Sequence, residues 1–114
     1  MSALTSIAKA LNLPTTGQDW GIEHADPTRL GEFLDFAQAR QPDHPYELEL
    51  LAELIFQSAE EAYDMQGLSG ELQAMLVAFV QSRRHLFPAT YKYWRALPET
   101  EWHVPSLLRG PAEA

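Results

Sequence analysis

Residues Pro45 to Asp64 read PYELELLAELIFQSAEEAYD, and this stretch decides the fold class. Leu48, Leu51, Ile55, Ala59 and Ala62 recur at intervals that align them along one side of a helix, and Leu50 and Leu54 widen that side. The pattern predicts a helix from Pro45 to about Asp64, followed by Gly67. The opposite face is acidic. At 100° per residue, Glu49, Glu53, Glu60 and Asp64 project within a sector of about 60°, with Gln57 filling the gap.

Working outward, the same helical period recurs on both sides. Leu4, Ile7, Ala8 and Leu11 share a face in a first short helix that Pro14 ends. Residues 15–25 hold two glycines and no sustained period, which predicts a loop pinned by Trp20 and Ile22. Asp26-Pro27 is a helix opening: the carboxylate accepts free amides of the first turn, and proline there lacks a donor that would go unpaired. That second helix carries Leu30, Phe33, Leu34 and Ala37 and runs to about Arg40, where Gln41-Pro42-Asp43-His44-Pro45 breaks it. Ser69 is placed to cap a fourth helix with Leu72, Met75, Leu76, Phe79 and Val80 as its buried stripe. Phe87-Pro88 closes that helix and opens a fifth through Leu97. From Pro98 onward no helical period is visible. The expectation is all-α: a compact bundle of about five helices with an irregular C-terminal tail, one domain over residues 1–114, and flexibility from about residue 105.

At 114 residues, with 46% hydrophobic and 21% charged residues, the composition is that of one globular domain. The chain has no cysteine, which removes disulfides, thiolate metal ligands and cysteine nucleophiles. The N-terminal stretch has Lys9 as its sole base and no continuous apolar core, unlike a signal peptide. No apolar run approaches the roughly 20 residues of a membrane span, so neither membrane association nor export is expected, and cytoplasmic residence is.

The formal net charge of −8 opposes binding to a phosphate backbone and makes a basic partner electrostatically easier. Residues 1–82 hold 13 acids and 3 bases, a balance of −10, whereas residues 83–114 hold 3 acids and 5 bases, a balance of +2.

Catalytic signatures are missing from the pattern. His24, His44, His85 and His103 each lack a second histidine within a turn, so no zinc-hydrolase motif exists and no metal site is expected. Glu23-His24-Ala25-Asp26 offers nitrogen and oxygen ligands but reads better as a polar loop with Asp26 as a helix cap. Gly67-Leu68-Ser69-Gly70 has its second glycine one residue too early for a nucleophile elbow, and no strand precedes it. No phosphate-cradling glycine loop occurs, so no cofactor, no catalytic residue and no enzymatic activity are expected.

Two features could carry function. The first is the acidic face: Asp43 to Asp64 contains seven acids and no base, and Glu49/Glu53 and Glu60/Asp64 are like-charge pairs at i, i+4 that cost about 0.2–0.5 kcal/mol each. A solvated surface face explains such a run as well as a partner does. The second is Arg83 to Arg95, which sets Arg83, Arg84, Lys92 and Arg95 among aromatics including Tyr91 and Trp94. That mixture suits an interface hot spot or a single-stranded nucleic-acid platform. It is better explained by bases at the end of the fourth helix and aromatics covering the core, or by pairing of the bases with the acidic face.

In size, helical content and the stripe Glu49, Glu53, Glu60, Asp64, the chain resembles the small, acidic, cysteine-free immunity proteins with which bacteria block toxins. That resemblance implies a non-catalytic inhibitor whose acidic helix docks onto a basic toxin through Glu49, Glu53, Gln57, Glu60 and Asp64, with Tyr46 or Phe56 as nearby anchors. The alternatives are a regulatory or nucleic-acid-binding protein using Arg83, Arg84, Tyr91, Lys92, Trp94 and Arg95, a small carboxylate-based enzyme, and a homo-oligomeric structural protein.

Overall fold

The computed structural model describes residues 3–41, 44–65 and 67–109. Seven α-helices follow in chain order: α1 (Ala3–Leu11), α2 (Trp20–Glu23), α3 (Leu30–Ala39), α4 (Glu47–Met65), α5 (Gly70–Arg83), α6 (Pro88–Arg95) and α7 (Val104–Arg109). Short 3-10 turns at Pro27–Arg29 and Arg84–Leu86 lead into α3 and out of α5. No strand occurs among the described residues, and the all-α bundle is as the apolar period requires.

The local rules set the boundaries. α1 stops where Asn12 turns left-handed (φ 56°), and the Leu13 N–H returns to the Ala8 carbonyl at 2.8 Å. Asp26 accepts from the Thr28 amide and begins the turn into α3. α4 ends at Gly67 (φ 84°), whose N–H reaches the Ala62 carbonyl; a left-handed residue at this place favours glycine. Ser69 accepts from the Leu72 amide and caps α5.

α4 is the central element. It packs against α1, α2, α3, α6 and α7, and it buries Leu48, Leu51, Ala52, Leu54, Ile55, Phe56 and Ala59 completely or nearly so. One hydrophobic core runs from Ile7 of α1 to Leu108 of α7. Its middle is an aromatic chain. Phe79 stacks on Phe87 at 5.0 Å, Phe87 and Trp94 both meet the ring of Phe56 edge-on, and Trp94 meets Trp102 at 5.5 Å.

Two expectations are corrected. Residues 15–25 are not all loop, because Trp20 is buried in the first turn of α2 and anchored by its indole N–H to the Pro14 carbonyl at 2.7 Å. Ile22, expected to pin that segment, is 46% exposed. The C-terminal tail is not irregular throughout: α7 buries Val104, Pro105 and Leu108 against the bundle. A helix of six residues is too short to show a period, so its apolar contacts were not readable as a pattern. The remainder of the expected flexible tail, residues 110–114, lies outside the described residues, as does Asp43.

Candidate functional site

The polar face of α4 does not stand free in solvent. Three of its carboxylates receive the starts of other helices. α6 has Phe87 at its N-cap, which offers no side-chain acceptor, and Pro88 follows without an N–H. Glu49 supplies the missing acceptor from α4, its two oxygens taking the Ala89 and Thr90 amides at 3.0 and 2.8 Å. α2 also lacks a local side-chain cap, and there the Gly21 backbone hydrogen-bonds to Glu53. Glu60, only 3% exposed, accepts the Val104 N–H at the start of α7 with one oxygen and the His103 Nδ1–H at 3.2 Å with the other. Ser58 does a related task, its hydroxyl accepting the Asp26 amide.

Arginines do the converse at helix ends. Arg29 donates to the Leu11 carbonyl at the end of α1, Arg83 to the Gln38 and Arg40 carbonyls at the end of α3, and Arg109 to the Arg95 carbonyl at the end of α6 and the Leu97 carbonyl just after it. Each satisfies acceptors that a helix leaves open at its C-terminus. Glu47, buried two residues before Glu49 on another side of α4, forms a bidentate pair with Arg40, which also donates to Ser6.

In the folded chain the acidic face is a set of internal acceptors with an exposed end. Glu49, Glu53 and Gln57 are half-buried, Glu60 is buried, and Asp64 is exposed. Gln57 donates to Glu61. Burial, then the nearby Asp19 charge, raise the pKa of Glu53, against a lowering contribution from the Gly21 hydrogen bond. Burial and the neighbouring Glu60 likewise raise that of the Tyr63 phenol. Phe56, weighed as a surface anchor, is wholly buried, whereas Tyr46 is 65% exposed.

The Arg83 to Arg95 segment divides. Trp94 belongs to the core, Arg83 caps α3, and Tyr91 lies under the Arg84 guanidinium, which is 5.6 Å from the ring centroid. Arg95 is half-buried. Arg84, His85, Lys92 and Tyr93 remain outward, Tyr93 at 66% exposure. Two grooves lie near them, with no lining residue in common. One, of about 500 Å³, is lined by His44, Tyr46, Leu48, His85, Leu86 and Pro88 among others. The other, of about 450 Å³, is lined by Ala89, Lys92, Tyr93, Ala96 and Leu97. Tyr46 lines the first groove together with Glu49, and Tyr93 lines the second together with Lys92. Of the exposed tyrosines, Tyr46 is expected as an anchor from the sequence, whereas Tyr93 is not singled out: in α6 the sequence points to Tyr91 and Trp94, which the fold draws inward.

The polar loop Glu23-His24-Ala25-Asp26 is structural. His24 Nε2 bonds to the Thr16 carbonyl at 2.8 Å, Glu23 accepts the Asp19 amide, and Asp26 caps its turn. Among the described residues no helix is long and apolar enough to cross a membrane. Comparison with known proteins gives no match: no family model, no curated protein sequence and no solved structure is similar to this chain.

Proposed function

We propose that the protein is a non-catalytic protein-binding module whose contact face lies across the start of α4 and the outer side of α6. The observation that carries this reading is the pair of exposed tyrosines, Tyr46 and Tyr93, each lining a surface groove. Tyrosine supplies large contact area for few lost rotamers and keeps a hydrogen-bonding tip, which is why it concentrates at binding hot spots. Arg84, His85 and Lys92 at the edge favour a partner that presents a tyrosine-sized apolar anchor among acidic residues.

A second reading keeps the toxin-neutralising inhibitor and its basic partner. It is favoured by the net charge of −8 and by Asp64, exposed at the end of α4, with the half-buried Glu61 one turn before it. The two readings separate in one experiment. Tagged wild-type protein, a Tyr46→Ser/Tyr93→Ser variant and a Glu61→Lys/Asp64→Lys variant serve as baits in nuclease-treated host extract. The α6-face reading expects a partner held by the wild type and the lysine variant and lost by the serine variant. A partner lost only by the lysine variant transfers the function to the acidic end of α4. Nucleic acid retained in untreated extract and released by salt would instead favour the Arg83 to Arg95 segment as a nucleic-acid surface.

A further inference from the structure

The geometry points to a divalent transition-metal site formed by Glu60, Asp64 and His103. Glu60 and Asp64 stand one turn apart on α4, on the same face, and His103 reaches them from the residue preceding α7. One donor atom from each of the three lies within 4.8 Å of the other two. His103 Nδ1 is 3.2 Å from a Glu60 oxygen and 3.9 Å from an Asp64 oxygen. Zinc holds nitrogen and carboxylate oxygen at about 2.0–2.2 Å, so donors around it sit roughly 3.4 Å apart. The Glu60–His103 edge already has about that length. The Asp64 edge is longer, and the Asp64 side chain, 72% exposed, has room to close it by rotation.

The two remaining donors are oriented by contacts outside the set. The His103 ring stacks on Tyr63, with centroids 4.9 Å apart and planes inclined by 12°, which fixes the plane in which Nδ1 points. The Val104 amide occupies one Glu60 oxygen and leaves the other facing the imidazole. Such outer contacts orient ligands in metal sites. One imidazole and two carboxylates, with further positions open to water, suit zinc, cobalt or nickel better than calcium or magnesium, which prefer all-oxygen shells of six or more ligands. A bound ion would replace the His103 Nδ1 proton and tie α7 to α4 through three ligands.

The test uses the full chain, stripped with chelator and titrated with zinc chloride in a calorimeter, beside His103→Gln and Asp64→Asn. Both substituted side chains are exposed, so the metal-free variants keep the wild-type circular dichroism. One zinc ion binds per wild-type chain, and each variant weakens the affinity about tenfold or more. At a hundredfold excess over Kd, zinc raises the wild-type Tm by about 10 °C, and the same concentration of magnesium does not. The site is overturned by an absence of zinc binding to the wild type at millimolar concentration, or by zinc affinity equal in wild type and His103→Gln.

Discussion

At the scale of single residues, Glu53 and Gly21 show how tightly the α4 face is engaged. Glu53 is an acid whose folded pKa is raised, chiefly by burial and secondly by Asp19. Its protonated form is therefore favoured by folding. The folded state binds the extra proton as pH falls through that raised value, and stability is lost as pH rises from the ordinary carboxylate range through it. Glu53→Gln keeps an oxygen to accept the Gly21 amide and removes the charge. The variant is expected to be more stable than wild type at pH 7, with the gain vanishing near pH 4, as read from denaturant midpoints across that range. Gly21 is required by space. A Cβ there would lie 2.9 Å from the Leu54 backbone nitrogen and equally close to the Glu53 side chain. Alanine improves helix propensity by about 1 kcal/mol, but forcing α2 off α4 costs about 1–3 kcal/mol, so Gly21→Ala is expected to destabilise on balance. A red shift in fluorescence from the buried Trp20 would register the displacement.

At the scale of elements, the helices divide into those whose ends are read locally and those capped from a distance. Ser69 caps α5 and Gly67 follows α4, so the start of α5 and the end of α4 were legible in the sequence within a residue or two, whereas Asp26 caps a 3-10 turn that delays α3 to Leu30, and α1 stops at the left-handed Asn12 before Pro14 is reached. α2 and α7 were not. They have four and six residues, and their amides are satisfied by Glu53 and Glu60, more than thirty positions away in the chain. The like-charge pairs on α4 were visible, but their relief was not. It comes from backbone amides and His103, which only the tertiary fold delivers. The same reason hid the grouping of Glu60, Asp64 and His103, since a histidine 43 positions from its carboxylate leaves no motif. Removing the acceptor of α7 should release that helix before any other. In Glu60→Ala, hydrogen exchange is expected to quicken over residues 104–109 while the amides of α4 stay protected, because α7 rests on three buried side chains and α4 on the whole core. Charge reversal at Glu60 would for the same reason disturb folding and reveal little about a partner.

At the scale of the whole molecule, the charge is used in two ways. Some carboxylates and arginines hold the bundle together by closing helix ends, and the rest give the surface its sign. The α6 face bears the reverse sign at its edge, and its two tyrosines are the side chains to substitute when binding is tested. Tyr46→Ser/Tyr93→Ser is expected to stay within about 0.5 kcal/mol of wild-type stability, since both rings are exposed, so a binding loss in that variant would report contact and not unfolding. The cap network itself is tested most directly by urea unfolding of metal-free wild type, Glu49→Ala, Glu60→Ala and Glu61→Ala, each in low and high salt. Glu49→Ala and Glu60→Ala are expected to lose about 1–3 kcal/mol each, with little dependence on salt, because each leaves helix amides without an acceptor. Glu61→Ala is expected to change stability by less than about 0.5 kcal/mol. Equal small losses at all three positions would contradict the assignment and return the α4 acids to the role of a solvated surface.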